Sequence, residues 1–223
     1  MVNWKIVFCL VLCFLATDSI ARRHYKPYHR RDNSPGLNGI SVSAGYYNPS
    51  MEYLNKWFLP MANTSNRFKG GAMGSANLSF DLPLNLGTRL GIWYWDGKVN
   101  GQTGSTFNHF GVNFTGVSMG AFYSVKGSGQ GLIPYFGIDG TYLMIQEKYD
   151  ANDMLMKMVG TDIVTTPFIG INTAISDKIF IGIEYGYCIG QYLHDIELPT
   201  GIVSEPVKIN GNKIQFTVGY KFR

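Results

Sequence analysis

From Lys213 onward every second residue is apolar: Ile214, Phe216, Val218, Tyr220 and Phe222 alternate with Lys213, Gln215, Thr217, Gly219, Lys221 and Arg223. A strand turns successive side chains to opposite faces, so this segment carries one apolar face and one polar face. The same period recurs upstream. Ile40, Val42, Ala44 and Tyr46 share a face within 39–47; Ala72, Gly74, Ala76, Leu78 and Phe80 do so within 70–81; Leu86, Leu90, Ile92 and Tyr94 do so within 84–95. Segment 134–145 sets Phe136, Ile138, Tyr142 and Met144 against Gly137, Asp139 and Thr141. Segment 163–175 sets Ile169, Ile171 and Ile175 against Gly170, Asn172 and Ala174, and 179–189 sets Ile181, Ile183, Tyr185 and Tyr187 against Gly182, Glu184 and Gly186. Segment 110–125 begins with Phe110, Val112 and Phe114 in phase, then continues in the other phase with Val117, Met119, Ala121 and Tyr123. A β-bulge at Gly116 would produce that switch.

Eight strands follow, and their connections alternate in length. The links after the second, fourth and sixth strands (Leu82-Pro83, 126–133, Ser176-Asp177-Lys178) are short or glycine-rich, whereas 48–69, 96–109, 146–162 and 190–212 are long. Short turns on one side, long loops on the other and an even strand number are the layout of an outer-membrane barrel. Aromatic residues gather at strand ends. Tyr46, Tyr47, Trp93, Tyr94, Trp95, Tyr185 and Tyr187 are expected at the outer interface, and Phe80, Tyr123, Phe136, Phe180, Tyr220 and Phe222 at the periplasmic one.

The start of the chain supplies the compartment. Lys5, the apolar run 6–16 and Ser19-Ile20-Ala21 read as a secretory signal peptide over residues 1–21. That run is shorter than the ~20 residues a membrane helix needs. Cys9 and Cys13 leave with it, and the remaining Cys188 has no partner for an intramolecular disulfide. Residues 22–38 form a basic periplasmic leader, with Arg22, Arg23, Lys26, Arg30 and Arg31 against the single acid Asp32. Such a tail serves as a solvated spacer or meets lipopolysaccharide phosphates, peptidoglycan or a periplasmic partner. Charged residues make up 15% of the chain, low against ~25% in soluble domains, beside 14% aromatics and 27 glycines. This composition suits strands that meet lipid.

The motifs at 45–50 (Gly-Tyr-Tyr-Asn-Pro-Ser), 88–91 (Thr-Arg-Leu-Gly), 133–140 (Ile-Pro-Tyr-Phe-Gly-Ile-Asp-Gly) and the closing Val-Gly-Tyr-Lys-Phe resemble the small OmpA/OmpX-like outer-membrane β-barrels, above all those abundant in Bacteroidota. The resemblance implies an all-β fold over residues 39–223: an eight-stranded antiparallel transmembrane up-and-down barrel with periplasmic termini. It also implies that the stripe ending in Tyr220 and Phe222 is read by the barrel assembly machinery. The chain departs from the pattern by closing on Arg223.

With the apolar faces turned to lipid, Arg89, Asp139, Glu184 and Lys213 fall inside, with charges that sum to zero. Eight strands leave an interior that side chains fill, so these four are expected to form an ion-pair network plugging the lumen; a narrow gated pore is the alternative. A short helix is expected in the first loop, where Met51, Leu54, Trp57 and Phe58 recur at helical spacing after Pro49 and Leu59-Pro60 ends the run. It packs on its own barrel, lies on the outer leaflet or meets a partner. Met154, Met156 and Met158 in the third loop are a second candidate partner surface, methionine being adaptable in such places.

Enzyme chemistry has little to draw on. Lipid-modifying barrels use a histidine with a serine and an acid near the outer rim; here Ser105 with His109, and His194-Asp195, lie in loops without a His-x-Ser spacing. No repeated Cys/His spacing points to a metal, and Gly127-Ser128-Gly129-Gln130-Gly131 lacks the Lys-Ser/Thr ending of a phosphate loop, so no cofactor is expected. Nucleic-acid binding has no support. Three functions remain: a non-enzymatic structural or surface-loop protein, an accessory subunit of an outer-membrane secretion or assembly complex, and a lipid A-modifying enzyme. A soluble lipocalin-like carrier is the rival fold, and it would point the apolar faces inward.

Overall fold

The computed structural model describes residues 36–61, 66–103, 106–125, 132–151, 154–198 and 201–222. The expected signal peptide, nearly all of the expected leader, Ser105 and the 127–131 glycine segment lie outside them. Among the described residues ten strands form: β1 (Gly36–Pro49), β2 (Gly71–Asp81), β3 (Leu86–Thr103), β4 (Thr106–Ser124), β5 (Leu132–Ala151), β6 (Met154–Ala174), β7 (Ile179–Cys188), β8 (Gln191–Leu198), β9 (Gly201–Lys208) and β10 (Gly211–Lys221). Eight of them close a barrel in the order β1-β10-β7-β6-β5-β4-β3-β2, while β8 and β9 form a separate two-stranded hairpin. All pairings are antiparallel, and β1 closes the ring by pairing with both β10 and β2. The eight-stranded antiparallel barrel read from the period-two pattern is the fold observed.

Closure places Gly45 where no side chain fits. A Cβ there would stand 2.1 Å from the Ile214 carbonyl oxygen and 2.7 Å from Gln215 Cα, both backbone. At the barrel end that carries the termini, a short turn at Pro83–Asn85 joins β2 to β3, with Leu84 and Asn85 in the left-handed region at φ 62° and 63°. At the same end Ser176 organises the β6–β7 turn by accepting the Ile179 N–H at 3.1 Å.

Apolar side chains face outward. Ile92, Val117, Ile163, Ile169, Phe216 and Val218 are exposed on the outer wall, whereas Ser41, Ser43, Ser118, Thr141, Thr166, Gln215 and Thr217 are buried inside. A soluble carrier has the reverse arrangement. Tyr46, Tyr94, Tyr185 and Tyr187 are exposed at the hairpin end of the wall, and Tyr123, Phe136, Tyr220 and Phe222 at the turn end.

Three expectations need correction. The long connections after β3 and β5 are largely strand: both pairs continue as ladders to Thr103↔Thr106 and Ala151↔Met154, and the connection after β7 contains the β8–β9 hairpin. β4 carries no bulge, because its pairing with β3 and β5 runs through Gly116 without a shift. The phase change is real and has another origin. Phe110, Val112 and Phe114 point into the lumen and are buried, while Val117, Met119 and Tyr123 point outward on an undistorted strand. The interior is apolar at the hairpin end and polar at the turn end, so the apolar residues change face where β4 passes from one storey to the other. For the same reason Tyr47, Trp93 and Trp95 leave the expected girdle. All three are buried inside. Phe180, which alternates with the outward-facing Ile179 and Ile181, lines the lumen cavity instead of the turn-end girdle.

Candidate functional site

The polar storey centres on Arg89 of β3. Its Nε donates to Asp139 Oδ1 at 2.9 Å, and its two terminal nitrogens reach Glu184 at 2.6 and 3.1 Å while one also binds the second Asp139 oxygen. The guanidinium carbon lies 3.9 Å from the Phe168 ring centroid. Glu184 further accepts from Tyr135 Oη at 3.1 Å and Gln215 Nε2 at 2.9 Å, with Lys213 Nζ at 3.9 Å. Arg89, Asp139, Glu184 and Lys213 therefore converge. Every contact to Glu184 meets a side chain sealed from solvent.

Glycines permit this convergence. Arg89, Gly120 and Asp139 lie in one register row across β3, β4 and β5. A Cβ on Gly120 would stand 1.9 Å from Asp139 Oδ1, so the carboxylate crosses an intervening strand only because that position is bare. Tyr135, Gly170 and Glu184 repeat the device across β5, β6 and β7, with the Tyr135 ring occupying the space over Gly170. Tyr135 and Gln215 were missed from sequence, although they share inward parity with Asp139 and Lys213.

Beside Arg89 lies a polar cavity of about 50 Å³ lined by Ser41, Ser43, Asn77, Ser79, Asn172 and Thr217 among others. Ser43 and Thr217 share a hydrogen bond of 2.8 Å. Asn172 and Gln215, also in the lining, each keep a buried amide oxygen without a protein partner, and a few waters would fit the space.

Above Arg89 the lumen is packed with rings. Trp95 stacks on Phe114 at 4.9 Å, and Tyr47 meets Trp93 and Trp95 edge-on at 5.9 and 5.8 Å. The expected helix of the first loop forms as a turn at Leu54–Phe58 continued by Leu59–Met61. Met51, Leu54 and Leu59 are fully buried in the barrel mouth, and Phe58 packs on Phe110, Tyr149 and His194. Met51 and Leu54 are thus withdrawn from any partner; of the four helix residues named from sequence, Trp57 is the exposed one. Met154, Met156 and Met158 extend β6, pairing with Ala151, Tyr149 and Glu147 of β5; their side chains lie outside those described.

The β8–β9 hairpin closes over this packing. Two side-chain ties run from β8 to Glu147, Tyr192 Oη donating to Oε1 and His194 Nδ1 lying 2.5 Å from Oε2, and the Gln191 N–H donates to Asp162 Oδ2 at 3.2 Å. All three side chains are buried, and His194 also packs on Tyr53 and Phe58 of the first loop. Burial and the adjacent Glu147 carboxylate push the Tyr192 phenol well above its usual range. Glu147 could have been found from its parity with Asp139, but nothing in the sequence joins it to His194. His109 sits exposed on the opposite face of β4, bonded to Asn100, so the candidate enzyme residues His109 and His194 are not brought together. Among the described residues no group of three acids, histidines or cysteines converges on a metal site. Cys188 is free and buried, 3.2 Å from Thr166 Oγ1.

No family model and no curated protein matches the chain. Solved structures do. Outer membrane protein OprG from Pseudomonas aeruginosa superposes with a TM-score of 0.60 at 11% identity, covering 86% of this chain and 100% of OprG. A major outer membrane protein from Thermus thermophilus gives a TM-score of 0.52 at 13% identity, covering 84% of this chain and 100% of that protein. The fold is that of a small outer-membrane β-barrel. At such identities the likeness speaks to fold alone.

Proposed function

We propose that this chain is a closed, non-enzymatic outer-membrane barrel that presents its hairpin end outside the cell. What supports the reading is contact across the lumen at two levels. The Arg89–Asp139–Glu184 clamp bridges β3, β5 and β7 in the lower half, and the Trp95–Phe114 stack lies beneath the β8–β9 hairpin in the upper half. A route for ions would need both to open. The exposed apolar wall and its tyrosines support residence in the outer membrane, with the short turns and termini periplasmic. The sequence resemblance to OmpA/OmpX-like barrels of Bacteroidota supports the same reading, as do the signal peptide and leader. Lipopolysaccharide is then the surrounding lipid of the outer leaflet, and the Tyr220–Phe222 stripe is the element read by the assembly machinery.

Planar-bilayer recording tests this reading. The folded protein should give no stable conductance steps at voltages where a general porin opens; reproducible steps from the purified barrel would overturn it. An accessory-subunit role rests on the exposed Trp57 and Leu193 at the hairpin end. Intact-particle mass after mild-detergent extraction tests that role, which predicts a stoichiometric partner.

A further inference from the structure

The outer wall changes chemistry row by row as β3–β6 rise from the lipid belt. Register places Ile92, Val117, Tyr142 and Ile163 in one outward row, and Tyr94, Thr115, Met144 and Thr161 in the next. Asp96, Asn113, Gln146 and Val159 follow. The row after that reads Lys98, Gly111, Lys148 and Lys157 across the four strands. Rows on one face are about 7 Å apart along a strand, and barrel strands tilt by ~40°. Lys98 therefore stands roughly 10 Å beyond Tyr94, a height from which its long side chain reaches down to headgroups, and Lys148 stands about 6 Å further out, because a register row climbs as it crosses tilted strands.

We propose that this row is a phosphate site for a phosphorylated glycolipid of the outer leaflet, with Lys98 and Lys148 as its two arms and Gly111 as its floor. Lys98 and Lys148 are exposed, and their strands stand about 10 Å apart with β4 between them. Gly111 keeps the interval open: a Cβ there would have nothing nearer than 4.0 Å. Two ammonium groups converging on one phosphate over a bare backbone make charge-assisted hydrogen bonds that neutral headgroups cannot offer. Asp96 holds Lys98 at 2.6 Å, and Asp150 stands in the next row. Lys98 is well exposed in that pair while Asp96 is half-buried, and the contact uses one of the three donors of the ammonium, so a phosphate dianion can share it. Position commits the site to a lipid, because the row continues directly from the apolar wall. The inference rests on the outer-membrane reading above.

The test uses the full chain folded in mild detergent, titrated with bisphosphorylated lipid A and with its dephosphorylated form and followed by native mass spectrometry. Wild type should prefer the phosphorylated form by about tenfold or more, the scale of one charge-assisted hydrogen bond. Lys98→Gln/Lys148→Gln/Lys157→Gln should lose that preference. Gly111→Val should lose it too, by filling the floor without changing charge, while Lys56→Gln on the first loop should keep it. Equal binding of both lipid forms, or an unaffected triple variant, would overturn the site. Displacement of lipid A by inorganic phosphate at tens of millimolar, beyond the effect of chloride at equal ionic strength, would reduce it to a free-anion site and overturn the lipid assignment. Heat-modifiable gel migration of every variant reports the barrel separately, so failure of the site and failure of the outer-membrane reading are told apart.

Discussion

Glu184 is the residue on which the polar storey turns. Its sealed carboxylate accepts from Arg89, Tyr135 and Gln215, and Lys213 stands 3.9 Å away. Glu184→Leu keeps the bulk and removes the charge. Arg89 retains Asp139, but the interior then carries two cations against one anion, and the donors of Tyr135 and Gln215 lose their acceptor. Breaking a buried pair in this way costs about 3–5 kcal/mol. The polar cavity beside Arg89 admits water, which places the expected loss near the lower end, about 3 kcal/mol. With a urea dependence of ~2 kcal/mol per M, the midpoint should fall by about 1.5 M. Unfolding from lipid vesicles can be followed by tryptophan fluorescence, since Trp93 and Trp95 are buried in the storey above. Adding Lys213→Met restores neutrality and should recover part of the loss. A Glu184→Leu midpoint within about 0.2 M of wild type would refute the network as a stabilising element, because that shift is below ~0.5 kcal/mol.

Gly45→Ala should open the β1–β10 seam, since its methyl meets backbone on β10. The cost is about 1–3 kcal/mol, read as loss of the compact band on unheated gels. Glu147→Leu strands the Tyr192 and His194 donors and should free the β8–β9 hairpin; trypsin cleavage after the exposed Lys208 should rise about tenfold or more. Tyr192 gives a pH dependence of definite sign. Its folded-state value is raised, so its contribution is complete below the unfolded phenol value of ~10 and is lost as pH climbs above it. Wild type should therefore lose stability more steeply than Tyr192→Phe above pH ~10, and parallel curves in alkaline urea titrations would contradict this.

The alternation of apolar and polar residues determined the eight barrel strands and, outside the upper half of β4, which face meets lipid. Those follow from a side-chain period of two and from the solvent on each side, which act on every strand independently. Parity also placed Arg89, Asp139, Glu184 and Lys213 inside. Parity alone does not say that Arg89 reaches Asp139 or that Tyr135 reaches Glu184, because those contacts depend on Gly120 and Gly170 falling in register between the partners, and register is fixed only when the ring closes. The same limit explains the misread bulge at Gly116. Phe110, Val112 and Phe114 look lipid-facing when lumens are taken to be polar throughout. Only the assembled barrel reveals an apolar upper storey, filled by Met51, Leu54 and Leu59 from the first loop and closed by Tyr192 and His194 from the last. His194 meets Tyr53 and Phe58 of the first loop across more than a hundred residues of chain, and no local pattern encodes such a meeting. Sequence determined the wall; the tertiary structure decided what fills it.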